Sequence, residues 1–102
     1  MSIVHALALA ALQTAPTPAD QADAKCIFAM TMLNEGASAE DKAGLDMTMS
    51  FFIGKITGRS GAGALARAMN AVAEAMQAGG IDGAAQLGEA CAQEFEASTA
   101  GL

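Results

Sequence analysis

The stretch SAEDKAGLDMTMSFFIGKITGRSG, residues 38–61, decides the fold class of this 102-residue chain. Five of its large apolar side chains recur at the spacing of one face of an α-helix. They are Leu45, Met49, Phe52, Ile53 and Ile56. Ser38 lies three residues before Asp41, an acidic variant of the capping box at which helices begin. Gly58-Arg59-Ser60-Gly61 is expected to break this helix, so the stretch predicts one amphipathic helix with a defined start and end.

Three further helices are predicted, one before this stretch and two after it. No proline follows Pro18, good helix formers dominate, and β-branched residues never alternate over the length of a strand. The first helix is expected from Asp20 to Leu33, with Asn34-Glu35-Gly36 as its exit.

The two helices after residue 61 carry narrower apolar edges. The third helix ends at Gly79-Gly80. Its edge consists of Leu65, Met69, Val72 and Met76. Asp82 is expected to cap the fourth helix, where Leu87, Cys91 and Phe95 follow at steps of four.

The predicted fold is all-α, a small four-helix bundle in one domain that covers residues 20–102. Alanine flanks the apolar stripes, which suits closely packed short helices. Gly54 and Gly58 are four residues apart on the second helix, and such a pair of small residues allows another backbone to approach. We therefore expect close helix packing at these two glycines.

Residues 1–19 are predicted to be a cleavable signal peptide. Residues 3–12, IVHALALAAL, are uncharged, too short to span a bilayer, and of the length of an export signal's apolar core. Cleavage after Ala19 is favoured over cleavage after Ala15, because the second would leave Pro16 next to the cut. The segment before the apolar run has no lysine or arginine, and His5 would be lost with the leader. We expect the mature protein to be periplasmic or secreted.

The two cysteines, Cys26 and Cys91, are predicted to form one disulfide. An even cysteine count in an exported domain of this size favours a bond between them. The bond would join the first helix to the last and would be structural, since the wide spacing lacks the C-x-x-C arrangement of redox-active thiols.

The composition argues against several classes of partner. Eleven acidic residues against five basic ones give a net charge of −6, with no Trp, no Tyr and four Phe. Nucleic acids favour basic surfaces with stacking rings, and anionic membrane surfaces also favour basic segments. We expect a protein partner or client, no nucleic acid, and no membrane association once the leader is removed. The sequence leaves the oligomeric state open.

Lys55 and Arg59 share one helix face and form the one dense positive spot in the sequence. One interpretation is a site for an anion or an acidic partner. The other is that both residues pair with the acidic C-terminal half of the chain. The surrounding GKITGRSGAG, residues 54–63, lacks the Walker pattern and follows a helix, so it predicts a helix–helix turn and not a phosphate cradle.

The methionines admit a copper interpretation, because soft thioether sulfur suits Cu(I). Met30-x-Met32 and Met47-x-Met49 are spaced by two residues, which places each pair on different sides of a helix. A site across two helices, Met30 with Met49, stays open as the weaker alternative to methionine as core filler.

Residues 20–102 contain no histidine, the commonest catalytic base and metal ligand. The serines have no histidine to activate them, and the neighbouring carboxylates have no positioned partner for acid–base work. We expect no enzymatic activity and no cofactor.

From Lys25 onward the arrangement KCIFAM … MSFFIGKITGR … EACAQEF resembles a group of small exported alphaproteobacterial proteins of unknown function. The group has a cysteine in the first helix, an aromatic-Phe-x-Gly-basic-x-x-Gly-Arg signature ending the second, and a cysteine in the last. Here the signature spans Phe51 to Arg59, with Phe51 where the group has tyrosine. Over residues 20–96 the resemblance implies export, a helical fold and the disulfide, and it implies no activity. More loosely, the predicted architecture, a very small all-helical protein with one disulfide and a leader, resembles the periplasmic acid-stress chaperones.

Three functions follow as hypotheses. The leading one is a non-enzymatic exported protein that acts as an envelope or stress-related interaction factor. The second is an acid-activated periplasmic chaperone, since below about pH 4 the carboxylates neutralise and self-repulsion opens a small bundle. The third is a methionine-based copper carrier.

Overall fold

The computed structural model describes residues 15–101, and three helices account for almost all of them. Helix α1 spans Pro18–Asn34, α2 spans Ala39–Ser60 and α3 spans Ala62–Thr99. No strand occurs in residues 15–101, so the all-α prediction is confirmed. Residues 1–14, which make up most of the predicted signal peptide, lie outside the described range.

The helix count differs from the predicted four, because the break at Gly79-Gly80 is a kink and not a loop. Gly80 alone leaves the helical region, with φ 64° and ψ −167°, and helix continues on both sides of it. Glycine adopts a positive φ without the steric clash that a Cβ causes. We call residues 62–79 and 81–99 the N-terminal and C-terminal arms of α3.

Helix α1 begins earlier than predicted, because Thr17 caps it. The Thr17 hydroxyl accepts a hydrogen bond from the Asp20 backbone N–H at 3.0 Å, and Pro18 occupies the first helical position. The sequence Thr-Pro-Ala-Asp is itself typical of a helix N-terminus, although the same residues are also predicted to be part of a cleavage site. Cleavage after Ala19 stays a prediction, and it would remove this cap.

Helix α2 begins where predicted, but it continues through Gly58 and Arg59 of the predicted break at residues 58–61 and ends at Ser60. The Ser38 hydroxyl accepts from the Asp41 backbone N–H at 3.2 Å, and the helix stops where Gly61 takes φ 90°. The N–H of Gly61 still bonds to the Thr57 carbonyl oxygen at 3.0 Å.

The core lies around α1, which packs against both other helices. The fully buried side chains of the core are a few large residues among several alanines. The large ones are Met30 from α1, Phe52 and Ile56 from α2, and Val72 from the N-terminal arm of α3. Small residues in the interface let the helix backbones lie close together.

The glycine that such packing requires is Gly88, not Gly54 or Gly58. A Cβ at Gly88 would lie 2.7 Å from Cδ1 of Leu33, whereas a Cβ at Gly54 or Gly58 would meet no heavy atom within 4 Å. Both of these glycines lie on the exposed side of α2, away from buried Phe52. The prediction of close packing at Gly54 and Gly58 is therefore wrong.

Cys26 and Cys91 form a disulfide between α1 and the C-terminal arm of α3, as predicted. Their Cα atoms are 5.7 Å apart and the two residues are separated by 65 positions. Closing a loop of this length in the unfolded chain is worth about 4 kcal/mol in the chain-entropy description. Unfolding free energies of small domains are about 5–15 kcal/mol, so the bond supplies a large share of stability.

Within the part of the chain that the structure describes, the helices are too short or too polar to cross a membrane.

Candidate functional site

Lys55 and Arg59 lie in a cluster of charged side chains contributed by all three helices. The remaining members are Asp20 and Asp23 from α1 and Glu94 from the C-terminal arm of α3. We call these five residues the ionic cluster. It lies beside the disulfide, since Asp23 precedes Cys26 by three positions and Glu94 follows Cys91 by three.

Each cation of the ionic cluster bonds to two carboxylates. The Arg59 guanidinium donates from Nη1 to Asp20 Oδ1 at 2.6 Å and from Nη2 to Asp23 Oδ2 at 2.8 Å. The Lys55 ammonium donates to Asp23 Oδ1 at 3.1 Å and to Glu94 Oε1 at 2.7 Å. Asp20 and Asp23 are 1% and 5% exposed, so their carboxylates depend on these donors in place of water.

The ionic cluster decides between the two interpretations of Lys55 and Arg59. Pairing with the acidic C-terminal half is correct for Lys55 and Glu94. The buried partners, Asp20 and Asp23, belong instead to α1, which the sequence did not nominate. Both cations already bond to carboxylates, so the geometry does not support an anion site.

The pKa values follow from these contacts. Hydrogen bonding from Ser60 lowers the pKa of the Asp20 carboxyl most, burial opposes that shift, and bonds from Arg59 and Thr17 carry the net change downward. Hydrogen bonds to Asp23 and then Asp20 raise the pKa of Arg59. Burial lowers the pKa of Lys55, but its bonds to Glu94 and Asp23 outweigh burial and raise it overall.

Aromatic rings complete the surroundings of Lys55. Its Nζ lies 5.4 Å and 5.1 Å from the ring centroids of Phe51 and Phe52, within cation–π range. Phe51 also meets Phe95 edge-on, with 5.3 Å between ring centroids. Carboxylates and rings together hold the ammonium in place. The ionic cluster therefore joins the three helices, and we also call it the junction.

A second feature is an apolar groove of about 830 Å³ between α1, α2 and the C-terminal arm of α3. Along α1 and α2 it occupies the opposite end from the ionic cluster. Its large apolar lining residues are Met30, Met32, Leu33, Leu45, Met47, Ile81 and Phe95. We call this feature the methionine groove.

Met47 and Ile81 are the large apolar residues that stay exposed in the described chain, at 63% and 57%. Both line the methionine groove. Sequence reasoning missed both residues as part of a binding surface. Met47 lies off the apolar stripe of α2, and Ile81 lies in the turn predicted between Gly80 and Asp82. Large apolar patches on soluble proteins commonly mark binding surfaces.

The rim of the methionine groove carries negative charge. Three carboxylate residues line it: Glu40 and Asp41 in the first turn of α2, and Glu96 near the end of α3. The ion pairs found in residues 15–101 involve none of these three. The groove therefore combines an apolar floor with carboxylates that form no ion pair within residues 15–101.

The two methionines of the copper hypothesis make different contacts in the structure. Met30 is buried, with its methyl group 3.6 Å from where a Cβ at Gly88 would lie. The Met49 sulfur accepts from the Thr31 hydroxyl at 3.9 Å. A copper site across the two helices stays a prediction. Within residues 15–101, no group of three or more His, Cys, Asp or Glu side chains is placed to hold a metal ion.

Compared with protein-family models, curated proteins and solved structures, the chain matches none of them.

Proposed function

We propose that this protein is a non-enzymatic exported interaction factor that binds a protein partner through the methionine groove. The observation that carries the proposal is the exposure of Met47 on α2 and Ile81 on α3, both of which line one apolar groove. Elsewhere in the described chain, large apolar side chains are buried or half-buried.

The chemistry of the groove suits recognition of a protein segment. Methionine has three rotatable bonds and a polarizable sulfur, so a surface rich in it adapts to apolar side chains of different shapes. A volume of about 830 Å³ holds a few large side chains, and docking would bury apolar area that water now covers.

The polar groups support binding in preference to catalysis. The buried carboxylates of Asp20 and Asp23 are held by Arg59 and Lys55, which keeps them from acting as acid or base. Residues 20–102 contain no histidine that could take the base's role.

Two features support a periplasmic or secreted location. Disulfides persist in oxidising compartments, and the Cys26–Cys91 bond is present. The apolar run at residues 3–12 has the length of an export signal.

Site-directed photo-crosslinking in the producing cell tests the proposal. A photoreactive residue in place of Met47 should give a discrete crosslinked product with another protein, and the additional change Ile81→Gln should weaken it. The matched control is the same probe at Glu74, which is exposed on the N-terminal arm of α3 and does not line the groove. Equal crosslinking patterns from positions 47 and 74 would refute a binding role for the groove.

The ionic cluster favours a second candidate, the acid-activated periplasmic chaperone. Its carboxylates compensate Arg59 and Lys55 only while ionised. Because the pKa of Asp20 is lowered on folding, its stabilising contribution is present at neutral pH and is lost as pH falls below the ordinary value of 3.8. Acid would then leave two uncompensated cations at the junction, while the disulfide keeps the opened chain compact.

Dye binding and aggregation of a client protein at pH 2–3 test this candidate. An acid-activated chaperone should bind a hydrophobic dye and suppress aggregation at that pH but not at pH 7. A protein that stays native at pH 2–3, or opens without protecting the client, would exclude it.

A further inference from the structure

We infer that the partner segment is a positively charged amphipathic helix, which lays its apolar face on the methionine groove and its Lys or Arg side chains against the rim carboxylates. This inference rests on the proposed function and specifies the partner of the same groove.

The groove is shaped by helix faces. On α2 its lining positions are 40, 41, 44, 45, 47 and 48, and on the C-terminal arm of α3 they are 81, 88, 92, 95 and 96. Both sets follow helical steps of three and four. At 1.5 Å per residue the two walls are about 12 Å and 22 Å long, which matches a helix of about two to four turns. A partner with apolar residues at i, i+3, i+4 and i+7 would present its side chains at the same period.

The charges around the groove select the sign of the partner. Glu40, Asp41 and Glu96 line the rim, and no lysine or arginine does. All five basic residues of the chain lie elsewhere. Lys55 and Arg59 are held in the ionic cluster, and Arg67 lies next to Gly63. Lys25 lines a different depression, and Lys42 does not line the groove. The local potential is therefore negative and attracts a basic segment.

The same charges disfavour other occupants. A second copy of this chain would bring carboxylates toward carboxylates, with −6 on each partner. Anionic lipid would meet like charge. The apolar run at residues 3–12 has no lysine or arginine to engage the rim.

Three synthetic helical peptides of about fourteen residues, a length of about four turns, test the inference against the full mature protein. They share one leucine pattern and carry lysine, glutamine or glutamate at the remaining positions. Fluorescence anisotropy of labelled peptides should show the lysine peptide binding about tenfold or more tighter than the glutamine peptide, and the glutamate peptide weakest. Raising the salt concentration should bring the lysine peptide close to the glutamine peptide, since exposed ion pairs are screened.

Matched variants separate the rim from the floor. Glu40→Gln with Glu96→Gln should weaken the lysine peptide about 3- to 10-fold and leave the glutamine peptide unchanged, as expected for two exposed ion pairs. Glu74→Gln with Glu89→Gln removes the same charge from exposed sites outside the groove and should change neither affinity. Met47→Gln with Ile81→Gln should weaken both peptides, and circular dichroism should show every variant helical.

The outcomes separate the inference from the proposed function. If the glutamine peptide binds as tightly as the lysine peptide, the charge inference is wrong and the groove still binds protein segments. If no peptide binds in any arm, the proposed function fails with it. Concentration-dependent dimerisation that Met47→Gln abolishes would assign the groove to a second copy and overturn the inference.

Discussion

The ionic cluster and the methionine groove lie at opposite ends of the α1–α2 pair, and they differ in how completely their groups are partnered within the chain. In the ionic cluster, two cations bond to three carboxylates beside a disulfide. In the groove, Met47 and Ile81 remain exposed next to rim carboxylates without ion pairs in the described chain. The first end holds the three helices together, whereas the second leaves large apolar side chains exposed, and we propose that it binds a partner. Substitutions at the first should therefore change stability, and substitutions at the second should change binding.

Removing the disulfide is the largest expected change. Cys26→Ser with Cys91→Ser should lower the free energy of unfolding by about 4 kcal/mol, because the unfolded chain regains the freedom of a long loop. Urea denaturation followed by circular dichroism measures this value. A loss below about 1 kcal/mol would show that the helix contacts alone hold the junction.

Breaking the ionic cluster should have the next largest effect. Asp23→Asn removes the carboxylate that bonds to both Lys55 and Arg59. We expect the free energy of unfolding to fall by about 2–3 kcal/mol. This is at or below the range for buried ion pairs, because both cations are partly exposed. The matched control is Asp46→Asn at the groove end. The exposed Asp46 carboxylate accepts one bond from Asn34 at 2.9 Å, and its loss should cost under about 0.5 kcal/mol. Equal losses for the two variants would contradict the difference between the ends.

Acidification should weaken the ionic cluster in a defined direction. The pKa of Asp20 is lower in the folded protein than its ordinary value of 3.8, so stability falls as pH drops through and below that value. Asp20→Asn should reduce stability at pH 7 and make the fall between pH 5 and pH 2 shallower. Urea midpoints across that range measure both effects, and an unchanged slope in the variant would remove Asp20 from the acid response.

The glycines provide a smaller test within the helices. Gly58→Ala should stabilise the protein by about 0.5–1 kcal/mol, since alanine is the better helix former and its Cβ meets nothing within 4 Å. Gly88→Ala should lack this gain, because its Cβ would lie 2.7 Å from Leu33, whose side chain must move. Thermal melting of both variants measures the contrast, and equal stabilisation would show that Leu33 moves freely.

The smallest expected change in stability is at the groove. Met47→Gln should shift the free energy of unfolding by no more than about 0.5 kcal/mol, because the side chain is already 63% exposed. The same urea titration measures it. A large loss of unfolding free energy would mean that Met47 packs in the core, and it would contradict the interpretation of the groove as an exposed binding surface.

Much of the local structure could be predicted because it depends on residues within one or two helical turns. The Ser38 cap, the stop at Gly61 and the stripe through Phe52 are of this kind. The Thr17 cap follows the same rules, but residues 17–19 also fit a signal-peptide cleavage site, and the sequence alone favours that interpretation.

The sites were harder to predict because they join residues far apart in the chain. Asp20 and Arg59 are 39 positions apart, and no local pattern pairs them. The methionine groove likewise is lined by residues from three helices that lie far apart in the sequence.

By itself, the sequence determined the helical class, several helix ends and the cysteine pair, since capping, periodicity and cysteine count are short-range or compositional properties. Tertiary structure decided that the break at Gly80 is a kink, that Gly88 and not Gly54 takes the close contact, and that Lys55 and Arg59 bond to α1. The physical reason is rotation. Small changes in how each helix turns about its axis leave its local pattern intact, yet they decide which side chains meet across helices and which stay exposed.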